Sequence, residues 1–221
     1  MHSDLSVPLK TQMADLSLLV LGTHNAKKGK ELVELLHLLP LTVRTLTDYP
    51  EALHVVEDGD SFAENAAKKA CAQAVHLGCW VLGEDSGLCV DALDGQPGIY
   101  SARFSGEQAN DLDNNRLLMD RMTDFPNDSR HAHYVCHAVL SDPTGTICGS
   151  TTGKCHGLIR RQETGSNGFG YDPLFEIREY HRTFGELGTK LKSSISHRSR
   201  AISQLLPQLR KLLRKGVWSS E

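Results

Sequence analysis

No apolar run in the 221-residue chain approaches the length of a membrane span, which leaves no candidate for a transmembrane helix. The first residues, Met1 to Asp15, lack the basic start, apolar middle and small-residue cleavage site of a secretory signal, so the cytoplasm is the expected location. No CxxC pair occurs among the six cysteines, Cys71, Cys79, Cys89, Cys136, Cys148 and Cys155. Several sit inside apolar segments, and reduced, buried thiols are expected rather than zinc ligands or disulfides. Charge of one sign is also lacking: 24 Lys and Arg against 27 Asp and Glu give a net charge of -3, which argues against a nucleic-acid footprint over the whole surface. There is no GxSxG turn, so a serine hydrolase is disfavoured. The nearest approach to a P-loop, Gly149 to Cys155, is one residue short and has Cys where a magnesium-binding Ser or Thr belongs. What remains is 39% hydrophobic and 23% charged, ordinary for a soluble globular protein and long enough for one large domain or two tightly joined lobes.

The richest stretch is Val81 to Gly87. An apolar run, Cys79 to Leu82, reads as a buried strand ending at Gly83, which then delivers two adjacent carboxylates, Glu84 and Asp85. Ligands of open α/β sheets gather at the carboxyl ends of strands, and magnesium is usually held by one or two carboxylates plus substrate phosphates. The competing reading is a solvated acidic turn. Earlier in the chain, Ser17 to Gly22 reads as a central strand, and Thr23 to Lys28 turns into a helix with Leu32, Leu35, Leu36 and Leu39 at helical spacing. A helix start offers free N–H groups as an anion seat, and Lys27 and Lys28 add charge; alternatively they lie on a solvated helix face.

A strand is expected over Thr42 to Leu46. After an acidic loop, Ser61 caps a helix from Phe62 to about Leu77, with Glu64 completing a capping box. Glu57, ahead of that helix and beside Gly59, is free to reach a metal shared with Glu84 and Asp85. A surface helix is read over Gln108 to Met122 with Leu112, Leu117 and Leu118 inward, then a hairpin of His131 to Leu140 and Thr146 to Ile159 about the turn at Asp142 to Gly145. His131, His133 and His137 share one strand face and raise the idea of zinc, but no partner at ligand spacing closes the set.

Gly165 to Pro173 holds three glycines, with Phe169 between two of them, a backbone that turns tightly and lets a flat group approach. Phe169 and Tyr171 could stack on a base and Asp172 accept a hydrogen bond; a hairpin loop with packing aromatics is the alternative. Lys190 opens one helix running to about Arg214, with Pro207 as a kink. Lys192, His197 and Arg198 on it are hydrogen-bond donors suited to a keto group, or simply a basic helix end.

Taken together, Thr23 to Lys28, Phe62 to Ala66, Glu84 to Gly87, Pro97 to Arg103, Gly168 to Pro173 and Ser196 to Arg198 resemble, in order, the motifs of the non-canonical purine nucleoside triphosphate pyrophosphatases, the inosine triphosphatase or Ham1-like family. The resemblance covers about Leu18 to Leu213. It implies an α/β fold of two lobes around a long curved mixed sheet, an active-site cleft between the lobes, a homodimer, and Mg2+-dependent hydrolysis of dITP, ITP and XTP to monophosphate and pyrophosphate. By motif, Thr23, His24, Asn25, Ala26, Lys27 and Lys28 would bind the triphosphate with Lys69 assisting. Glu57 and Asp85 would hold the metal, with Glu84 as a second acid beside them, and Asp85 would accept the proton. Ser86 would touch the substrate, and Phe169, Gly170, Tyr171, Asp172, Lys192, His197 and Arg198 would surround the purine.

Within that resemblance His24 takes a position often held by Gly, and Glu84 one often held by Asp. The domain organisation expected is a mobile extension over residues 1–16, one catalytic domain of two lobes over 17–215 and a tail over 216–221. No nucleic-acid or membrane partner is expected. Two other classes fit parts of the pattern: a pyrophosphatase for other triphosphates, and a nucleotide-binding module that activates no water.

Overall fold

Seven strands make one mixed sheet in the order β2-β1-β3-β4-β5-β6-β7. The computed structural model describes residues 17–218; the extension expected over residues 1–16 lies outside them, as do residues 219–221. The chain begins with β1 (Ser17–Leu21), α1 (Ala26–Leu36) and β2 (Leu41–Thr45), with β1 parallel to both β2 and β3 (Trp80–Val90). The helix α2 (Phe62–Leu77) precedes β3, and β4 (His131–Ser141), β5 (Ile147–Ile159), β6 (Phe175–Ile177) and β7 (Arg182–Thr183) extend the sheet antiparallel. The remaining helices are α3 (Asp111–Arg121), α4 (Thr189–Ile195) and α5 (His197–Arg214).

β3 does not stop at Gly83. It continues to Val90 because β4 pairs with it residue by residue, from Val81 opposite Ser141 to Val90 opposite Ala132. The acids expected in a turn therefore sit inside a strand, pointing to opposite faces of the sheet. Gly83 has a different task from ending the strand: a Cβ there would collide with the Ala66 carbonyl and with Ala70 of α2. α2 can lie on the sheet only because that side chain is missing.

In α2 the cap forms as expected, Ser61 Oγ accepting from Glu64 N at 3.2 Å, but the capping box is not closed, since Glu64 Oε2 accepts from Asp60 N at 3.0 Å and not from Ser61 N; Gly78 ends the helix in the left-handed region at φ 63°. The single C-terminal helix expected from Lys190 is instead two. Ser196 leaves helical geometry (ψ 162°) and caps α5 by accepting from Ser199 N, and α5 then runs on through Pro207. In α3, Leu112 is exposed and Leu117 half-buried; Asn114, Asn115 and Leu118 are the inward positions.

Most of the buried apolar residues fall into two clusters at the two ends of the sheet. One joins β1, α1 and α5 through Leu19, Leu32, Leu36, Leu205 and Leu209, and the other surrounds Leu88, Tyr134, Phe175 and Phe184. Trp218, in the stretch read as a tail, is buried in the first cluster, with its ring 4.4 Å from Trp80 and its Nε1 donating to the Leu18 carbonyl at 2.8 Å. His137 engages both ring nitrogens with Thr152 and Ser150, and among the described residues no three His, Cys, Asp or Glu side chains form a metal-holding group.

Candidate active site

The loop after β1 is built around Asn25, the cap of α1. Its Oδ1 accepts from Lys27 N at 3.0 Å and Lys28 N at 3.1 Å, and its N–H donates to Thr23 Oγ1 at 3.2 Å. The helix-start N–H groups expected to be free are thus taken by the cap, except that of Ala26, which has no partner among the described residues. What the loop offers an anion is mainly its ammonium groups. Lys28 Nζ lies 3.3 Å from Glu84 Oε2, while the more exposed Lys27 pairs with Asp111 at 2.7 Å. His24 stacks on His54 and contacts the Leu53 carbonyl through Nε2 at 3.0 Å.

Lys69, from α2, stands between two acids: 2.8 Å from Glu57 Oε2 and 3.0 Å from Asp85 Oδ1. The second oxygen of Asp85, Oδ2, is buried with no hydrogen-bond partner. Burial raises the Asp85 carboxyl above its ordinary range despite Lys69 and Lys28, with Glu84 and Glu57 adding to the rise. Burial acts on Glu57 in the same sense, but Lys69 outweighs it and holds that carboxyl below the usual range. Of the two acids sharing one ammonium, the more exposed is therefore the readily ionised one, and Asp85 has the raised proton affinity.

Glu84 faces the other side of β3 and is not brought together with Glu57 and Asp85. Its Oε1 accepts from Arg198 Nε at 3.0 Å and Nη2 at 2.7 Å. Burial would raise this carboxyl, yet Arg198, then Lys28 and Lys69, hold it well below the usual range. Arg198 also donates to Glu31 and to Ser86 Oγ, and Lys192 Nζ lies 2.9 Å from Glu31 and 2.6 Å from Asp172. Four of the five Arg198 N–H groups and two of the three on Lys192 are thereby used, so each keeps one donor.

His197 packs its ring on Tyr134, 4.6 Å between centroids, and its Nδ1 is buried without a partner. Burial, with Arg198 and Lys192 nearby, pushes its basicity well below the ordinary value, so the ring is neutral and has one donor and one acceptor nitrogen. Phe169 lies under Lys192 at 4.5 Å. Tyr171, expected to stack on a base, is buried with its hydroxyl donating to the Ser101 carbonyl at 2.8 Å. The loop is closed by Asp172, which accepts from Phe169 N at 2.8 Å; a side chain on Gly168 (φ 78°) would strike that carboxylate.

These groups line two cavities set end to end. One, about 170 Å³, is walled by Thr23, His24, Glu57, Lys69 and Asp85; the other by Tyr134, Phe169 to Asp172, Lys192, His197 and Arg198. Asn25, Lys28, Ser86 and Ala102 border both. Of the residues picked out by sequence, only Ala26, Lys27 and Glu84 line neither. Sequence reasoning missed Glu31, Tyr134, Asn114 and Asp111. Glu31 carried a usable signal, since it follows Lys28 by three residues and shares its helix face. Tyr134 and Asp111 carried none.

A mixed α/β sheet with a cleft holding an acid–lysine cluster at one end and an aromatic slot at the other defines a protein for an elongated anionic ligand of nucleotide size. The sequence profile of the Ham1 family matches residues 19–208, and the chain belongs to that family. It is 51% identical over 205 residues to the dITP/XTP pyrophosphatase of Rhodopirellula baltica, covering 91% of this chain and 97% of that protein. The dITP/XTP pyrophosphatase of Desulforamulus reducens is 45% identical over 194 residues, 88% of this chain and 96% of the relative. Among solved structures, a HAM1 protein from Coxiella burnetii superposes with a TM-score of 0.80 at 32% identity, over 88% of this chain and 99% of its own.

Proposed function

We propose that the protein hydrolyses the non-canonical purine triphosphates dITP, ITP and XTP to monophosphate and pyrophosphate, removing deaminated purines from the nucleotide pool. The carrying observation is the pairing, within one cleft, of the Glu57–Lys69–Asp85 cluster with a slot whose remaining polar capacity includes the neutral His197 ring and one donor each on Lys192 and Arg198. The family relatives named for dITP and XTP support this choice of substrate.

The residues present fit a hard divalent cation. Glu57 and Asp85 would supply two carboxylates to it, Asp85 with an orphaned buried oxygen, a donor set of the kind that holds magnesium together with substrate phosphates. We assign Mg2+ to these two and not to Glu84, whose carboxylate is committed to Arg198 and Lys28. When bound, the ion neutralises charge on the phosphates. Asp85, its proton affinity raised by burial, takes a proton from water attacking the α-phosphorus. The bond from that phosphorus to the bridging oxygen breaks, pyrophosphate leaves with the electron pair, and Lys28 and Lys69 stand where its charge gathers.

At the other end a 6-keto purine accepts from the free donors, whereas the amino group of adenine would meet them donor to donor, which costs more than a lost apolar contact. We further assign the protein to the cytoplasm and to a homodimer, which light scattering would report as twice the chain mass. The test is release of pyrophosphate and of orthophosphate from dITP, XTP, dATP, dGTP, dCTP and dUTP, with magnesium and with chelator. Pyrophosphate from dITP and XTP alone, lost with chelator, is expected. Orthophosphate would refute the cleavage site, indifference to the base would indicate a pyrophosphatase for other triphosphates, and binding without turnover would leave only a nucleotide-binding module.

A further inference from the structure

Between the phosphate end and the base end of the cleft there has to be room for a sugar, and on the base-side wall several polar side chains are already engaged. Ser101 Oγ donates to the Gly98 carbonyl and accepts from Leu88 N. Asn114 uses its Oδ1 for Ser105 and its Nδ2 for the carbonyls of Ser101 and Ala102. Tyr171 is tied to Ser101, and Ser86 to Arg198. Asp111, at the start of α3, keeps a carboxylate oxygen unused. Its Oδ2 accepts from Lys27 Nζ at 2.7 Å and from Gly170 N at 3.0 Å, which ties the phosphate loop and the aromatic loop to one carboxylate. Its Oδ1 has no hydrogen-bond partner among the described residues, and the side chain is half-exposed on the wall of the base-side cavity.

We propose that Asp111 is a sugar-reading residue, its Oδ1 accepting a hydrogen bond from the 3′-hydroxyl of the nucleotide. The inference rests on the functional reading above, under which substrates include both ribo- and deoxyribonucleotides; the hydroxyl common to both is the 3′ one. Oδ2 positions the carboxylate through its two donors, so little freedom is lost when Oδ1 takes the third. Asp111 also joins the two loops that grip the ends of the substrate, which makes sugar contact and cleft width depend on one group.

The experiment measures kcat/KM, with magnesium, for dITP and for its 2′,3′-dideoxy analogue in wild type and Asp111→Ala. A hydrogen bond to a charged group implies a loss of about tenfold or more when the wild type is given the dideoxy substrate. Asp111→Ala should lose a comparable factor on dITP and show no further loss on the analogue. Asp111→Asn, which keeps the shape and lowers the acceptor strength, should retain a ratio of roughly threefold. A purely structural role predicts that the losses from substitution and from the missing hydroxyl multiply, and that result would overturn the inference. So would a wild type indifferent to the 3′-hydroxyl, whatever the stability of the variants. A wild type that releases no pyrophosphate from dITP would overturn the functional reading, and this inference with it; the normal dITP rate with no 3′ effect would overturn this inference alone.

Discussion

Glu84 and Asp85 are neighbours on one strand with opposite surroundings, and the difference is one of partners. Both are buried, yet Glu84 meets the Arg198 guanidinium directly, whereas Asp85 shares the Lys69 ammonium with Glu57. Replacing Asp85 with Asn removes the proton acceptor we propose while preserving shape, and turnover of dITP should fall by ~10²–10⁴-fold in a pyrophosphate-release assay. Arg198→Met strips the buried Glu84 Oε1 of both its guanidinium donors and leaves Lys28 as the ion-pair partner; chemical denaturation should show a loss of about 3–5 kcal/mol. His197 gives a pH signature. Its basicity is depressed in the folded protein, so the unfolded chain binds more protons whenever the pH is below the ordinary histidine value of about 6.5. Its contribution to stability is therefore complete above that pH and lost as the pH falls toward the folded value, at up to about 1.4 kcal/mol per pH unit. Urea unfolding of wild type and His197→Gln across that range should show the steeper decline in the wild type; parallel curves would refute this role.

At the scale of elements, the position of the site depends on how closely α2 and β3 approach. Lys69 projects from α2 to Asp85 on β3, and the approach is made possible by Gly83 against Ala66 and Ala70. Gly83→Ala forces these elements apart, and the expected loss is about 1–3 kcal/mol in stability, with a further drop in kcat as Lys69 retreats from Asp85. Thermal unfolding and steady-state kinetics on the same variant separate the two effects. The break between α4 and α5 belongs to the same scale. Ser196 ends one helix and caps the next, and the changed direction lets Lys192 reach Asp172 while Arg198 reaches Glu84. A continuous helix, as the local pattern suggested, would fix the angle between these two donors at six residues of helix rotation.

For the molecule as a whole, the sheet joins an α1–β1–α5 core to a second core around Phe175, and the cleft borders both, with Glu31 of α1 holding Lys192 and Arg198. The two ends of the described chain also meet, where Trp218 stacks on Trp80 and bonds to Leu18. Trp218→Ala opens a cavity in the first core and should destabilise the protein by about 3–5 kcal/mol, read from a denaturation midpoint; an exposed tail would give no measurable change.

The order of strands and helices through β5 was legible in the sequence because apolar spacing and local caps are short-range, Ser61 and the run Leu19 to Leu21 each acting on their immediate neighbours, whereas the short strands β6 and β7 and the break at Ser196 were not. Stretches that line the cleft were picked out for the same reason, since Thr23 to Lys28, Gly168 to Pro173 and Ser196 to Arg198 each lie within a few residues. What the tertiary structure alone decided is which groups are still available. Pairing with β4 carried β3 past Gly83 and turned Glu84 away from Asp85; the contacts of Arg198 and Glu84 span 114 residues, and those of Asp111 with Lys27 span 84. Hydrogen-bond capacity is consumed by partners distant in sequence, and only the assembled fold shows that Asp85 Oδ2, His197 Nδ1 and Asp111 Oδ1 are among the atoms left over.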